Sequence, residues 1–289
     1  MAKSWSIKSV RLSFVLGEGT FSSGGNTKTI EGLPCDISIT KPGGDEANSA
    51  EGTVYGMKAK DIDQLTTLAF RPYEYLKNKV TIYAGVKGTT LSTAFAGAIA
   101  SAQGDYNSAP DIAFKFKAIS GFWGQLQAEA PVSVQGDTTV EKLMTMLCKS
   151  SGYTLDNQGV TGSVKNTVLN GSPVDKMKRL CEMHGCDLVI DDEKAVMLPR
   201  DGYRTGITVY LSDSSGLIGY PTFTDTGIQA RCLYNPSLRI FGLVKIQSLV
   251  PRASGTWKIV KLSHQLSAYH SSGSKWESTF TAIPLDMSV

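Results

Sequence analysis

No stretch of this 289-residue chain approaches the roughly 18 consecutive apolar residues of a membrane-spanning helix, so membrane insertion is not expected. The opening residues, Met1-Ala2-Lys3-Ser4-Trp5-Ser6-Ile7-Lys8, lack the apolar segment of a secretory signal. Charge of one sign is also missing. The 29 Lys and Arg against 26 Asp and Glu leave a net +3, and no basic run tracks along a helix or tail. Sequence-specific nucleic-acid binding is therefore not expected. Cysteine is sparse and odd in number: Cys35, Cys148, Cys181, Cys186 and Cys232. That pattern favours reduced thiols in a protein made in a cytoplasm over a disulfide scaffold.

Catalytic signatures are equally thin. The sequence has neither a Gly-x-Ser-x-Gly elbow nor a His-Glu-x-x-His helix. Leu16-Gly17-Glu18-Gly19-Thr20-Phe21-Ser22 imitates a kinase glycine-rich loop, but His-Arg-Asp and Asp-Phe-Gly are missing, so it reads as a hairpin turn. Cys181, His184 and Cys186, with Cys148 in a companion helix, invite a metal reading. Their spacing does not match the paired ligands of structural zinc, and Cys181 belongs to an apolar stripe, so buried thiols are expected instead. Asp191, Asp192 and Glu193 read as a solvated hairpin turn, and His264 as a hydrogen-bonded core or interface histidine. No catalytic, cofactor or metal site is predicted, and the chain is not expected to be an enzyme.

What the sequence does have is patterning. Its 41% hydrophobic and 19% charged residues make a globular protein, and its length suggests two or three domains at about 150 residues each. Residues 1–127 read mostly as strands: Val10, Leu12, Phe14 and Leu16 alternate, as do Ile37 and Ile39, Val80 and Ile82, and Phe114 and Phe116. One helix interrupts them, with Asp61 and Gln64 at capping-box spacing and an apolar stripe of Ile62, Leu65, Leu68 and Ala69. Residues 128–205 change period. Thr138 and Glu141 suggest a capping box before Val140, Leu143, Met144 and Leu147, and Gly152 ends that helix. Ser172, Pro173 and Asp175 repeat the start before Val174, Met177 and Cys181, giving two strand–helix–strand units. Residues 206–289 return to alternation through Val209, Leu211, Val244, Ile246, Val260, Leu262, Leu266 and Phe280. The predicted class is mainly β with α+β character: two all-β domains, each a barrel or a sandwich, flanking a small α/β domain.

The C-terminal third carries an ordered series of motifs. Gly216-Leu217-Ile218-Gly219-Tyr220-Pro221-Thr222-Phe223 precedes Leu233-Tyr234-Asn235-Pro236-Ser237-Leu238, then Gly242-Leu243-Val244, Trp257-Lys258-Ile259-Val260, His264 and Trp276-Glu277-Ser278-Thr279-Phe280. In the first third, Val54-Tyr55-Gly56-Met57, Val80 to Gly85 and Phe95-Ala96-Gly97-Ala98-Ile99 agree with it. The series resembles baseplate hub proteins of contractile phage tails, a group related to the late control protein D family. The resemblance makes Gly219, Pro221, Asn235, Pro236, Gly242, His264 and Trp276 structural family positions. It implies that the two β domains are tail-tube-like β-barrels and that a homotrimer presents six of them as a pseudo-hexameric ring. It also implies the partners: tail tube protein, central spike protein, tape measure protein and other baseplate proteins. The lumen would pass tape measure and DNA, and the chain would reside in the virion after assembly in the host bacterial cytoplasm. Two other readings stay open: a cell-wall-binding or wall-hydrolysing tail component, and the equivalent hub of a pyocin or type VI secretion-like machine. The first would need an exposed aromatic groove on the strand–helix units, where Tyr153 and Tyr203 are the residues at hand.

Overall fold

The computed structural model describes residues 7–44, 46–67, 77–107, 109–126, 129–270 and 274–285. The first part of the chain forms β1 (Lys8–Val15), β2 (Thr27–Glu31), β3 (Cys35–Lys41), β4 (Ser49–Tyr55), α1 (Ala59–Leu65), β5 (Lys79–Val86), β6 (Ser92–Asp105), β7 (Ala113–Ile119) and α2 (Phe122–Leu126). The middle contributes β8 (Val132–Thr139), α3 (Val140–Ser151), β9 (Thr154–Asn157), β10 (Ser163–Leu169), α4 (Pro173–Met183), β11 (Cys186–Asp191) and β12 (Lys194–Pro199). The last part adds β13 (Val209–Leu211), β14 (Leu217–Phe223), β15 (Ile228–Leu233), β16 (Leu243–Ile246), β17 (Gly255–Ala268) and β18 (Trp276–Pro284). The protein is mainly β.

Among the described residues thirteen strands share one sheet, whose main path runs β14-β15-β18-β17-β3-β4-β7-β6-β5-β1-β2. The two β-rich ends of the chain are thus joined edge to edge through β3 and β17, which pair antiparallel from Leu262↔Lys41 to Ala268↔Cys35. The 14-residue β17 makes this possible. A register shift between Ile259 and Lys261 marks a bulge, the usual device for bending a strand. Before the bulge, Trp257 and Ile259 fill a core with Val244, Leu238 and Phe280; beyond it, Leu266 and Ala268 enter a second core with Ile37, Phe14 and Phe114. In that second core, Phe14 meets Phe114 and Phe116 edge-on at ring separations of 5.8 and 5.7 Å. Each such buried ring contributes roughly 1.5–3 kcal/mol from the water it sheds.

A third core lies in the middle of the chain, where α3 and α4 bring Leu143, Met144, Leu147, Val174, Met177 and Leu180 together. Its small sheets are β8 with β10, and β9-β12-β11, in which β9 runs parallel to β12. The α4 start follows its sequence pattern: Ser172 Oγ accepts from the Asp175 amide, and the Asp175 carboxylate accepts from the Ser172 amide. At α3 the cap is Thr139, one residue beyond the expected Thr138. Gly152 closes that helix at φ +76°, the left-handed conformation that glycine adopts without steric cost.

Two further expectations need correction. Asp61 does not cap α1, which starts two residues earlier and has no side-chain cap at Lys58. Asp61 is instead buried in the first turn, where it accepts from Ser22 at 2.9 Å and pairs with Lys28 at 3.0 Å. A buried carboxylate needs such partners, and they come from a distant hairpin. Asp191 and Asp192 are not solvated either, because the β11–β12 turn is driven against the rest of the fold. Leu68 and Ala69, expected in the α1 stripe, lie outside the described residues.

Candidate functional site

The most heavily charged interior region lies where the three cores meet, around the β11–β12 turn. The alternation of β3 buries Cys35, Ile37 and Ile39, and the same parity carries Lys41 inward. Its ammonium meets Asp191 Oδ1 at 2.5 Å, with the two side chains only 3% and 1% exposed. Asp191 Oδ2 accepts from Arg204 at 2.7 Å, and Arg204 also reaches Asp156 at 3.2 Å. Arg239 stands 3.8 Å from Asp191 and 3.7 Å from Asp192. Asp192, at φ +59°, turns back to accept the Ala96 amide of β6 at 3.0 Å. The Asn48 amide donates to the Ile190 carbonyl at 3.0 Å. One hairpin turn is thereby fastened to β3, β6, the loop before β4, Arg204 at the end of the middle region and Arg239 of the C-terminal part.

Electrostatics follow the contacts. Burial would raise the Asp191 carboxyl, but Lys41 and Arg204 outweigh it and hold the group below the usual carboxylate range. Asp192 goes the other way, raised first by burial and further by adjacent Asp191, although Lys41 opposes the shift. Asp191 is therefore an ionised acceptor with both oxygens occupied, suited to fastening elements together. A cleft of about 750 Å³ opens beside it, between Tyr83 and Thr93 on one wall and Ile207, Pro236 and Ser237 on the other.

The residues singled out from sequence divide between this junction and the last strands. His264 is 3% exposed, sits opposite Ile39 across the β3–β17 seam, and shares a 2.8 Å hydrogen bond between Nδ1 and Ser278 Oγ. Burial pushes its pKa down to about 3, with Lys41 and Arg239 adding to the effect. Tyr234 packs edge-on against both His264 and Trp276, at 5.2 and 5.5 Å. Asn235 forms a turn with Pro236, its Oδ1 accepting the Ser237 amide at 2.9 Å. Gly242 lies one turn on, where its amide donates to Arg239 at 3.0 Å and its carbonyl accepts from Ile259. Gly219 has φ +69° within the β14–β15 irregularity, beside buried Pro221. His264, Pro236 and Gly242 thus stand beside the charge junction or its cleft, Trp276 packs against the first core, and Gly219 and Pro221 lie on β14 at the end of the sheet path. Lys41, Asp191, Arg204 and Arg239 were not anticipated.

All five cysteines are buried and free. Burial lifts Cys35 and Cys232 to about 12 and Cys148 to about 11. Among the described residues, no three His, Cys, Asp or Glu side chains converge as metal ligands. Tyr153 is half-buried against the middle core and Tyr203 is exposed.

The fold has well-matched counterparts among solved structures. The prophage MuSo2 43 kDa tail protein from Shewanella oneidensis superposes with TM-score 0.63 at 10% identity, over 96% of this chain and 97% of that one. The tail protein from Neisseria meningitidis MC58 gives 0.61 at 7%, over 94% and 96%. The Escherichia coli c3393 protein, described as a type VI secretion component similar to T4 tail proteins gp27 and gp5, gives 0.59 at 9%, over 87% and 73%. A search of curated proteins by sequence finds no match. The family profile described as baseplate hub gp41 matches residues 11–272, and the chain belongs to that family of structural baseplate proteins.

Proposed function

We propose that the chain is the hub subunit of a contractile phage-tail baseplate, a non-enzymatic protein that assembles as a homotrimer in the virion. The two β-rich ends, about residues 1–127 and 206–289, act as tube-like barrels, and the α/β region of residues 128–205 is carried between them. Three chains then offer six similar positions in a ring, on which a sixfold tail tube stacks while the other end receives a threefold spike. Its lumen passes tape measure protein and DNA. Gly219, Pro221, Asn235, Pro236, Gly242, His264 and Trp276 hold turns and strand contacts of the last barrel.

The observation that carries this reading is the unfinished sheet. Its end strands β2 and β14 each have a hydrogen-bonded neighbour on one side only among the described residues. Open edges leave a row of backbone donors and acceptors, which a closed ring of copies would cover. Exposed Tyr220, Phe223 and Leu233 on β14 and β15 supply apolar surface at one of these ends. The charge junction serves the same purpose by keeping the two barrels at a fixed angle.

Mass photometry with negative-stain imaging of the purified chain, alone and with tube or spike protein, is the test. A species of three chains with a central channel is expected. A ring of any other symmetry, or a chain that stays monomeric with both partners, would overturn the proposal.

A further inference from the structure

The middle region has an exposed feature apart from the charge junction. Along α3, Lys142, Met146 and Lys149 follow one another at helical spacing and all three are exposed. Between α3 and β8 lies a groove of about 460 Å³ whose floor is Val134, Leu143 and Met146. Met146 is 47% exposed, while Leu143 beneath it is buried. The lining contains two lysines and no carboxylate. Neither lysine is ion-paired among the described residues. An apolar floor between two uncompensated cations has a definite complement: an apolar side chain flanked by carboxylates. Seven residues of helix place the two ammonium-bearing positions about 10 Å apart, which sets the spacing of those carboxylates. A nucleic-acid strand would match the lysines but leave the Val134–Met146 floor without a use.

Resting on the baseplate reading above, we propose that the α3–β8 groove docks a short acidic segment of another tail protein. An apolar residue of that segment seats on Met146 and its carboxylates pair with Lys142 and Lys149. The β8–β10 pair is a two-stranded sheet separate from the thirteen-stranded one, so the groove lies on the middle region. An anchor set among excluded water with charges at its rim is the usual division of labour in a protein interface.

Carbodiimide treatment of purified tail particles carrying the full-length chain couples lysine amines directly to contacting carboxylates. Mass spectrometry should find Lys142 and Lys149 joined to Asp or Glu of a different tail protein. The variant Met146→Glu, with unchanged thermal unfolding and oligomeric state, should enter particles at least about tenfold less often, because like charges then meet across the contact. The Lys142→Gln/Lys149→Gln pair should also reduce entry. Cross-links confined to this chain or to a second copy of it, coupling to nucleic acid only, or normal incorporation of all variants would overturn the inference. Wild-type chain missing from the particles would overturn the baseplate reading itself, and this one with it.

Discussion

Removing the Asp191 carboxylate isolates a buried ammonium, and the consequence follows from the surrounding contacts. Breaking one side of a buried ion pair costs about 3–5 kcal/mol, because the remaining charge has lost both water and partner. In Asp191→Ala, Lys41 would retain only Asp192 at 3.8 Å, while Arg204 keeps Asp156 at 3.2 Å and Arg239 is already 41% exposed. These residual partners put the expected loss near the lower end, about 3 kcal/mol. Replacing both partners, Lys41→Met with Asp191→Leu, should cost clearly less than Asp191→Ala, since an apolar pair leaves no orphaned charge. Urea unfolding of the full-length chain at neutral pH, followed by tryptophan fluorescence and circular dichroism, compares wild type, Lys41→Met, Asp191→Leu and their double as one cycle, with Asp191→Ala beside it. The pH dependence supplies a second reading. Asp191 is depressed in the fold, so its contribution is complete above the ordinary aspartate value near 3.9 and is lost as pH falls through its folded pKa. Asp191→Ala should therefore remove part of the acid sensitivity below about pH 4. A loss under about 1 kcal/mol in Asp191→Ala, or strictly additive single effects, would show that the junction does not fasten the cores.

Two further predictions follow from the same region. His264 is held neutral with a folded pKa of about 3, whereas an unfolded histidine takes a proton near 6.5. Stability should then fall as pH drops from about 6 to 5, approaching 1.4 kcal/mol per unit, and His264→Gln should flatten that slope in urea titrations. Gly43 and Gly44 have similar positive φ, +72° and +67°, but a Cβ on Gly43 would lie 2.4 Å from the Val260 carbonyl whereas Gly44 faces open space. Gly43→Ala should cost at least about 2 kcal/mol more than Gly44→Ala; equal effects in thermal melts would refute the close approach.

Local features were legible wherever one element carried its own signal. Ser172-Pro173 and Asp175 announce the α4 start because cap, first-turn proline and carboxylate act within four residues. Gly152 likewise ends α3 by its own backbone conformation. The charge junction left a weaker trace that parity could have exposed. Lys41 continues the inward series Cys35, Ile37, Ile39, and Asp191 falls two residues after inward Val189. Two opposite charges on inward positions ask for each other, since neither can be buried alone. Reading Asp191 to Glu193 only as a polar turn overlooked that. Asp61 misled for the opposite reason: its spacing to Gln64 imitated a cap, while its partners Ser22 and Lys28 are distant in sequence.

The seam between β3 and β17 was beyond reach for a different reason. Each strand shows its alternation, but alternation fixes which face is buried and says nothing of which neighbour completes the ladder. Here the partners are separated by more than 220 residues, as in Leu266↔Ile37. The choice is made by what both faces then meet: Leu266 and Ala268 join Ile37 and Phe14 in one core, while Trp257 and Ile259 of the same strand stay in the other. Lys41 marks the point of crossing. It pairs across the seam with Leu262 and reaches down to Asp191 of the middle region. Shifting the β3–β17 register by one residue would turn Lys41 outward and leave Asp191 to Arg204 and the more distant Arg239. The buried pair is therefore satisfied in one register, and it ties that register to the turn of the middle region, which an apolar contact between the same two elements would not do.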